Sequence, residues 1–351
     1  MLRFVVCFVL LGAMECLSAE EVPAPTGEAI VAPTAKLELL YTRTAPIVGG
    51  LTEGPAVAPD GSIYFSDIPF GESGGLIVRF DPKTSTTSLF TDNSGKSNGL
   101  VFDSAGRLLA CEGANFGGRC VSRWDVTTKQ KEVLADKFQG KRFNACNDIC
   151  LDAKGRVYFT DPKYLGAEPR ELEHMAVYRL DPESGKVDEV THEVGKPNGA
   201  VISPDGKTLY VADHDNLSDD VTKPAPPKHG TMKIYAFPLN DDGSVGSRRT
   251  IVDFGDKKGC DGMTVDAAGN IYLTERDQSR PGVLVVDPNG KEIAFIPSGP
   301  ANQTGDKPVG LPSNVEFGLG DELNVLYITV DVSLYRIPLK AKGFHVQYSG
   351  K

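Results

Sequence analysis

Asn147-Asp148-Ile149-Cys150-Leu151-Asp152-Ala153-Lys154-Gly155-Arg156-Val157-Tyr158-Phe159-Thr160-Asp161 is the stretch that decides the fold. A polar pair opens it, a short apolar run follows, residues 152–155 make a turn, and a second apolar run closes on an acid. That order is the signature of a tight hairpin. Working outward, the device recurs: Glu53 precedes Gly61 and Tyr64, and Asn98 precedes Gly106 and Leu109. Asn198 precedes Gly206 and Tyr210, and Asp261 precedes Gly269 and Tyr272. A degraded copy sets Asn314 before Gly320 and Tyr327. In five copies the leading polar residue stands eight positions before the turn glycine.

The turn glycines lie 45, 49, 51, 63 and 51 residues apart, and each unit has room for a second hairpin, as at 75–81 with 86–91. Four short strands repeated at this period are the arithmetic of a β-propeller blade. No sustained 3.6-residue apolar period interrupts residues 51–340. The expectation is an all-β, six-bladed β-propeller with four-stranded antiparallel blades, spanning residues 35–345 as one domain. The last hairpin, near 334–338, would be completed by an early strand at 36–42, closing the ring and removing its free edges.

Residues 1–19 read as a secretory signal peptide: Arg3 is the positive region, 4–13 the apolar core, and Ser18-Ala19 the small residues before Glu20. The segment is too short for a spanning helix, and no later stretch is apolar enough to cross a bilayer. The expected product is exported, periplasmic or secreted. Residues 20–34, rich in Pro, Ala and Glu, read as a flexible lead-in. A net charge of −10 argues against nucleic acid or an anionic membrane as partner, since phosphates need a basic footprint. Five cysteines follow the leader. Cys111 and Cys120 flank a glycine-rich turn and could face each other, although buried free thiols acting as small hydrophobes are the stronger expectation.

The innermost strand of a blade lines the central channel, so the six leading residues should converge on one mouth. Glu53, Asn98, Asn147, Asn198, Asp261 and Asn314 would present two carboxylates and four amides, with no lysine or arginine among them. Hard divalent cations take such oxygen sets. Asn98-Gly99, Asn198-Gly199 and Asp261-Gly262 are also ordinary turn dipeptides. Their in-phase recurrence, with acids in just two units, favours a cation. The second strands return Asp67, Asp161, Asp213 and Glu275 to the same face, and the long loop 213–230 is a candidate lid.

With these residues in view, the chain resembles the gluconolactonase, senescence-marker-protein and luciferin-regenerating enzyme family over roughly 51–337. The likeness lies in Glu53-Gly54-Pro55, Ser97-Asn98-Gly99-Leu100, Asn147-Asp148, Pro197-Asn198-Gly199 and Asp261-Gly262-Met263, with Tyr158-Phe159-Thr160-Asp161-Pro162 and Glu316-Phe317-Gly318. The resemblance implies a metal-dependent hydrolase that opens a lactone, above all a sugar lactone. It puts metal ligands on Glu53, Asn198 and Asp261, with Asn147 near the metal or the substrate, and makes Asp261 the general base. Ca²⁺ is the first expectation for the ion, with Mg²⁺, Zn²⁺ or Mn²⁺ also compatible. Asn98 and Asn147 would hold substrate hydroxyls, and His214 at the mouth would touch substrate. The family's animal members carry Arg-Phe-Asn where this chain has Ala145-Cys146-Asn147. A bacterial pattern with an asparagine three residues earlier is better matched, and it makes Asn144 a substrate contact. The competing readings are a cation-stabilised propeller that binds a glycan or protein, and an esterase acting on aryl or phosphate esters. The run Gly71-Glu72-Ser73-Gly74-Gly75 fits the serine-hydrolase pattern, but a strand rather than a helix is expected after it.

Overall fold

The hairpin at 147–161 forms about its expected turn. Ile149–Leu151 and Val157–Thr160 pair antiparallel, with Cys150 opposite Tyr158. Asp152 holds the turn, its Oδ1 accepting the backbone N–H groups of Lys154 and Arg156. Asp103 and Asp266 repeat this capping three residues before Gly106 and Gly269. A side chain that satisfies turn N–H groups makes the hairpin a local event.

The computed structural model describes residues 21–44, 49–305 and 307–349. They form six four-stranded antiparallel sheets around an axis. Blade one is Leu51–Val57, Ile63–Ile68, Leu76–Asp81 and Thr86–Thr91; blade two is Ser97–Phe102, Leu108–Glu112, Cys120–Trp124 and Lys131–Ala135. Blade three is Ile149–Leu151, Val157–Thr160, Val177–Leu180 and Val187–Thr191; blade four is Pro197–Ile202, Thr208–His214, Met232–Pro238 and Arg249–Asp253. Blade five is Cys260–Val265, Ile271–Glu275, Gly282–Val286 and Glu292–Pro297. Blade six is Pro312–Phe317, Val325–Val330 and Ser333–Pro338, and Glu38–Thr42 supplies its outer strand. The N-terminal strand thus closes the ring, as the pattern required. Apolar faces pack between neighbouring blades; Val57, Phe65, Phe80, Tyr327 and Leu334 bury the seam between blades six and one. Each such side chain contributes about 1.5–3 kcal/mol by leaving water.

Two readings are corrected. The stretch 21–34 is not a free lead-in: Thr26 bridges Phe295, and Ile30 and Val31 are buried in the cluster between blades five and six. Composition marked it polar and proline-rich, but two aliphatic side chains suffice to dock it. Cys111 and Cys120 do not face each other, because Cys111 lies opposite Val121 and Cys120 opposite Glu112. All five cysteines of the described residues are buried and free. The leader at 1–19 lies outside the described residues. Among those described, no helix is long and apolar enough to cross a membrane.

The dipeptides Asn98-Gly99, Asn198-Gly199 and Asp261-Gly262 are not turns. Each sits inside an innermost strand, where the register slips: Ser97 pairs Glu112 while Leu100 pairs Ala110, so two residues oppose one. Blades four and five slip at the same place, between Pro197 and Ala200 and between Cys260 and Met263. Blade one slips between Glu53 and Ala56. These are β-bulges, which re-aim a side chain out of the sheet's alternation. Their glycines are needed for close approach. A Cβ on Gly99 would strike Asn147 O and Asp148, and one on Gly199 would strike the backbone of Asp261 and Gly262.

Gly199→Ala should therefore lower stability by about 2–4 kcal/mol, the cost of forcing backbone apart in a packed core. Gly206→Ala, at φ 70° with nothing near its would-be Cβ, should cost about 1 kcal/mol. Equal losses in urea denaturation of the two variants would refute the crowding argument.

Candidate active site

The bulges of blades one, two, four and five deliver Glu53, Asn98, Asn198 and Asp261 to one cavity of about 930 Å³ at the axial mouth, where Asn147, just ahead of the first strand of blade three, joins them. Glu53, Asn147 and Asn198 are buried in its floor. Asn314, the sixth member of the expected ring, does not reach it. It faces a narrow channel of about 70 Å³ that continues along the axis, with residues 344–347 lining the channel's other side. Asp148 lines that channel too, at a position where blades one, two, four and five have a glycine after the ring residue. Its carboxylate accepts the N–H of Ala200 at 2.9 Å and meets Asn314 Nδ2 at 3.5 Å. In the sequence Asp148 stood out only as the partner of Asn147 in the pair that opens the hairpin and carries part of the family likeness.

Like charges meet at this floor. Burial pushes Glu53 well above the usual carboxylate range, and the Asp261 charge raises it further, although the Gly54 N–H donates to its Oε2. Burial lifts Asp148 to about 7 despite its hydrogen bonds, with Asp261 adding to the rise. Arg276 Nη1 lies 3.2 Å from Asp261 Oδ2 and also donates to the Pro312 carbonyl. Asp261 is fixed from behind as well, its N–H donating to Thr274 Oγ1.

The amides complete the donor set. Asn198 Nδ2 donates to the Tyr164 hydroxyl, which donates in turn to the His214 carbonyl, so the Asn198 oxygen is left for another partner. Asn98 Oδ1 is buried with no hydrogen-bond partner. Such an orphan acceptor beside two carboxylates suits a hard cation or a ligand hydroxyl. Among the described residues no three His, Cys, Asp or Glu side chains group as a metal site. An ion here would rest on two carboxylates and amide oxygens.

His214 lines the cavity, and burial lowers its pKa, so the ring is neutral near pH 7. Its Nδ1–H donates to the Cys260 carbonyl at 3.0 Å, which leaves Nε2 as an acceptor. Asn144 is placed otherwise. Its Nδ2 donates to the carbonyls of Asp161 and His174, behind the cavity wall rather than in it. Cys146 lines the cavity, but burial raises its thiol well above the range of a nucleophile.

The acids at the ends of the second strands anchor the loops that enter the ring. Asp161 accepts the N–H groups of Asn144 and Ala145, Asp213 those of Gly195 and Lys196, and Asp331 those of Gly310 and Leu311. Each loop leads directly into an innermost strand. Two lysines brace the rim from beneath. Lys96 Nζ donates to the carbonyls of Pro69 and Gly71, and Lys196 Nζ to Asn216 Oδ1 and the Ser218 carbonyl. Lys196 thereby ties the 213–230 loop to the residue two before Asn198, and residues of that loop wall the cavity. Arg276 and Tyr164 lie out of phase with the ring residues, so the repeat gave no signal for them, whereas Lys96 and Lys196 each stand two positions before a ring asparagine, a recurrence confined to blades two and four.

Comparisons with known proteins agree with this geometry. A family model described as the SMP-30/gluconolactonase/LRE-like region matches residues 51–331. The gluconolactonase of Zymomonas mobilis subsp. mobilis is 27% identical over 318 residues, 83% of this chain and 79% of that one. A solved gluconolactonase from Xanthomonas campestris superposes with a TM-score of 0.72 at 28% identity, covering 91% of this chain and 95% of its own. Regucalcin from Agrobacterium tumefaciens, a calcium-binding protein, has the same fold, with a TM-score of 0.66 at 18% identity over 88% and 96% of the two chains.

An acid whose pKa rises on folding keeps its proton in the native chain where the unfolded chain has lost it. Its stabilising share is full below the unfolded value, 3.8 for aspartate, and is lost as pH rises to the folded value, about 7 for Asp148. In EDTA the urea midpoint should therefore fall between about pH 4 and about pH 7, with Asp148 contributing on the order of 4 kcal/mol. Asp148→Asn should flatten that fall. A midpoint in the variant with the same pH dependence as the parent would contradict the assignment.

Proposed function

The chain belongs to the SMP-30/gluconolactonase/LRE-like family and is a hydrolase of its lactonase type, and from that premise we propose that it opens a lactone ring at the floor formed by Glu53, Asn98, Asn147, Asn198 and Asp261. The observation that supports the reading is the convergence of a buried carboxylate, Glu53, and a half-buried one, Asp261, whose charges repel, with free amide oxygens beneath an open cavity. A binding module that closes its ion off needs no such cavity.

Glu53, Asn198 and Asp261, with Asn147, would hold a divalent cation, Ca²⁺ by the chemistry of the donors. When bound, the cation supplies Lewis-acid polarisation of the ester carbonyl and offsets the charge that builds on its oxygen. The chain's own groups do the rest. Asp261, oriented by Arg276 on Oδ2 and by Thr274 on its N–H, takes a proton from the water that attacks the carbonyl carbon. The ring C–O bond breaks, and the ring oxygen leaves as the hydroxyl of a hydroxy acid. Asn98 and Asn147 suit the hydroxyls of a sugar lactone, and His214 Nε2 can accept from another. With the leader at 1–19, the enzyme would work outside the cytoplasm.

Lactone hydrolysis followed with a pH indicator should be abolished by EDTA and restored by Ca²⁺. Glu53→Gln and Asp261→Asn should each lower kcat/KM by about a hundredfold or more. Near-parental, EDTA-sensitive rates in both variants would remove these residues from the mechanism.

A further inference from the structure

The cavity is larger and more apolar than its floor requires. At about 930 Å³ it lies at the upper end of the range that takes drug-sized ligands, well beyond a hexose-derived lactone. Polar groups able to meet sugar hydroxyls lie in the floor and along one side of the rim, where Asn216, Lys228, His229 and Lys258 join the lining, and Lys96 at the floor's edge is already engaged by two carbonyls. Above the floor the lining changes. Leu51 and Phe70 of blade one and Leu311 at the entry to blade six form one apolar wall. Val221, Pro226 and Pro227 of the 213–230 loop form another, on the blade-four side.

In these walls Phe70, Val221 and Pro227 are exposed to solvent, while Leu51, Leu311 and Pro226 are half-buried. Among the described residues nine large hydrophobic side chains are exposed, and two of them, Phe70 and Val221, line this cavity from opposite sides. Exposed apolar surface gathered around one concavity marks a place where something apolar is bound. The two sides are held in position. Phe70 packs on Gly49, where a Cβ would collide with its ring, and the Val221 N–H donates to the Tyr164 carbonyl at 2.7 Å. A polyol pressed against them would lose water from its hydroxyls without replacement hydrogen bonds, which is unfavourable.

We propose that the substrate is a lactone bearing a hydrocarbon substituent, its ring on the carboxylate and amide floor and the substituent lying against Phe70, Leu51 and Leu311 on one side and Val221, Pro226 and Pro227 on the other. The inference rests on the lactonase reading and adds the substrate class to it. It makes the rim, rather than the floor, the place where substrates are told apart.

The test uses the full chain with Ca²⁺ and a series of δ-lactones whose alkyl substituent lengthens from none to a long chain, with aldonolactones alongside. The expected result is a rise in kcat/KM of about tenfold or more along the series, since each buried methylene in an apolar site counts. Phe70→Ser and Val221→Ser should each flatten that dependence on chain length. Both side chains are on exposed loops, so either variant is a fair probe of the wall. A flat or falling dependence, or aldonolactones hydrolysed better than every alkyl lactone, overturns the proposal and leaves the lactonase reading standing. Should no lactone be opened, that reading fails separately. Binding of the same series, measured as the rise in Tm, then decides this one: affinity that grows with chain length upholds it, and affinity that does not grow overturns it.

Discussion

Six strands converging on one axis cannot all carry side chains at the same height, and the arrangement of the site depends on how that crowding is relieved. The residue after the ring position is glycine in four of the six blades. Gly54 lies against Asn98, Gly199 against Asp261, and Gly262 against Asn314, each with backbone or side chain where its Cβ would be. A bulge at that point lets the preceding polar residue leave the sheet's alternation and turn toward the axis. Blades three and six are the exceptions, with Val315 in blade six, and blade three shows what the glycine avoids. There the residue is Asp148, and its carboxylate occupies the axis itself, bound to Ala200 of the next blade.

Crowding also sets the electrostatics. Strands packed this closely strip water from Glu53 and Asp148, which are raised by burial first and by the Asp261 charge second. The neighbouring cations do little to relieve them. Arg276 reaches Asp261 from the side, while Lys96 and Lys196 point away to the carbonyl and amide oxygens of the rim loops. The fold therefore holds negative charge together at a place where a divalent cation would lower the free energy most. The same lysines, and the acids at 161, 213 and 331, keep the surrounding loops from relaxing that arrangement.

What was legible in the sequence is what repeats. The eight-residue step from ring residue to turn glycine set the register of the hairpins, the number of blades, the closure by Glu38–Thr42 and five of the residues at the mouth. What was not legible breaks the period or imitates another signal. Asn-Gly in a bulge has the same letters as Asn-Gly in a turn, and only the neighbouring blade distinguishes them. Asn314 follows a shortened repeat and falls below the cavity, so the ring has five members at the mouth and an aspartate beneath. The second-strand acids were placed on the correct face, but not as loop anchors, because their partners are backbone N–H groups with no sequence identity. Residues 21–34 looked unstructured by composition, yet burial of Ile30 and Val31 is a matter of two side chains and leaves almost no compositional trace.

The floor and the rim are consequently built by different rules. Ring residues sit on strands pinned by five- to seven-residue ladders in most blades and by hydroxyls such as Ser66 and Thr274 that reach the next blade's backbone. A change there disturbs the packing of two blades at once. Rim residues stand on loops of unequal length, the longest of which is held to the floor by Lys196, Tyr164 and little else that is buried. Such loops can change composition without touching the axis. With the reaction carried by the part that repeats and, as proposed, the substrate chosen by the part that does not, a chain 27% identical to a gluconolactonase can share its family while its rim selects a more apolar lactone.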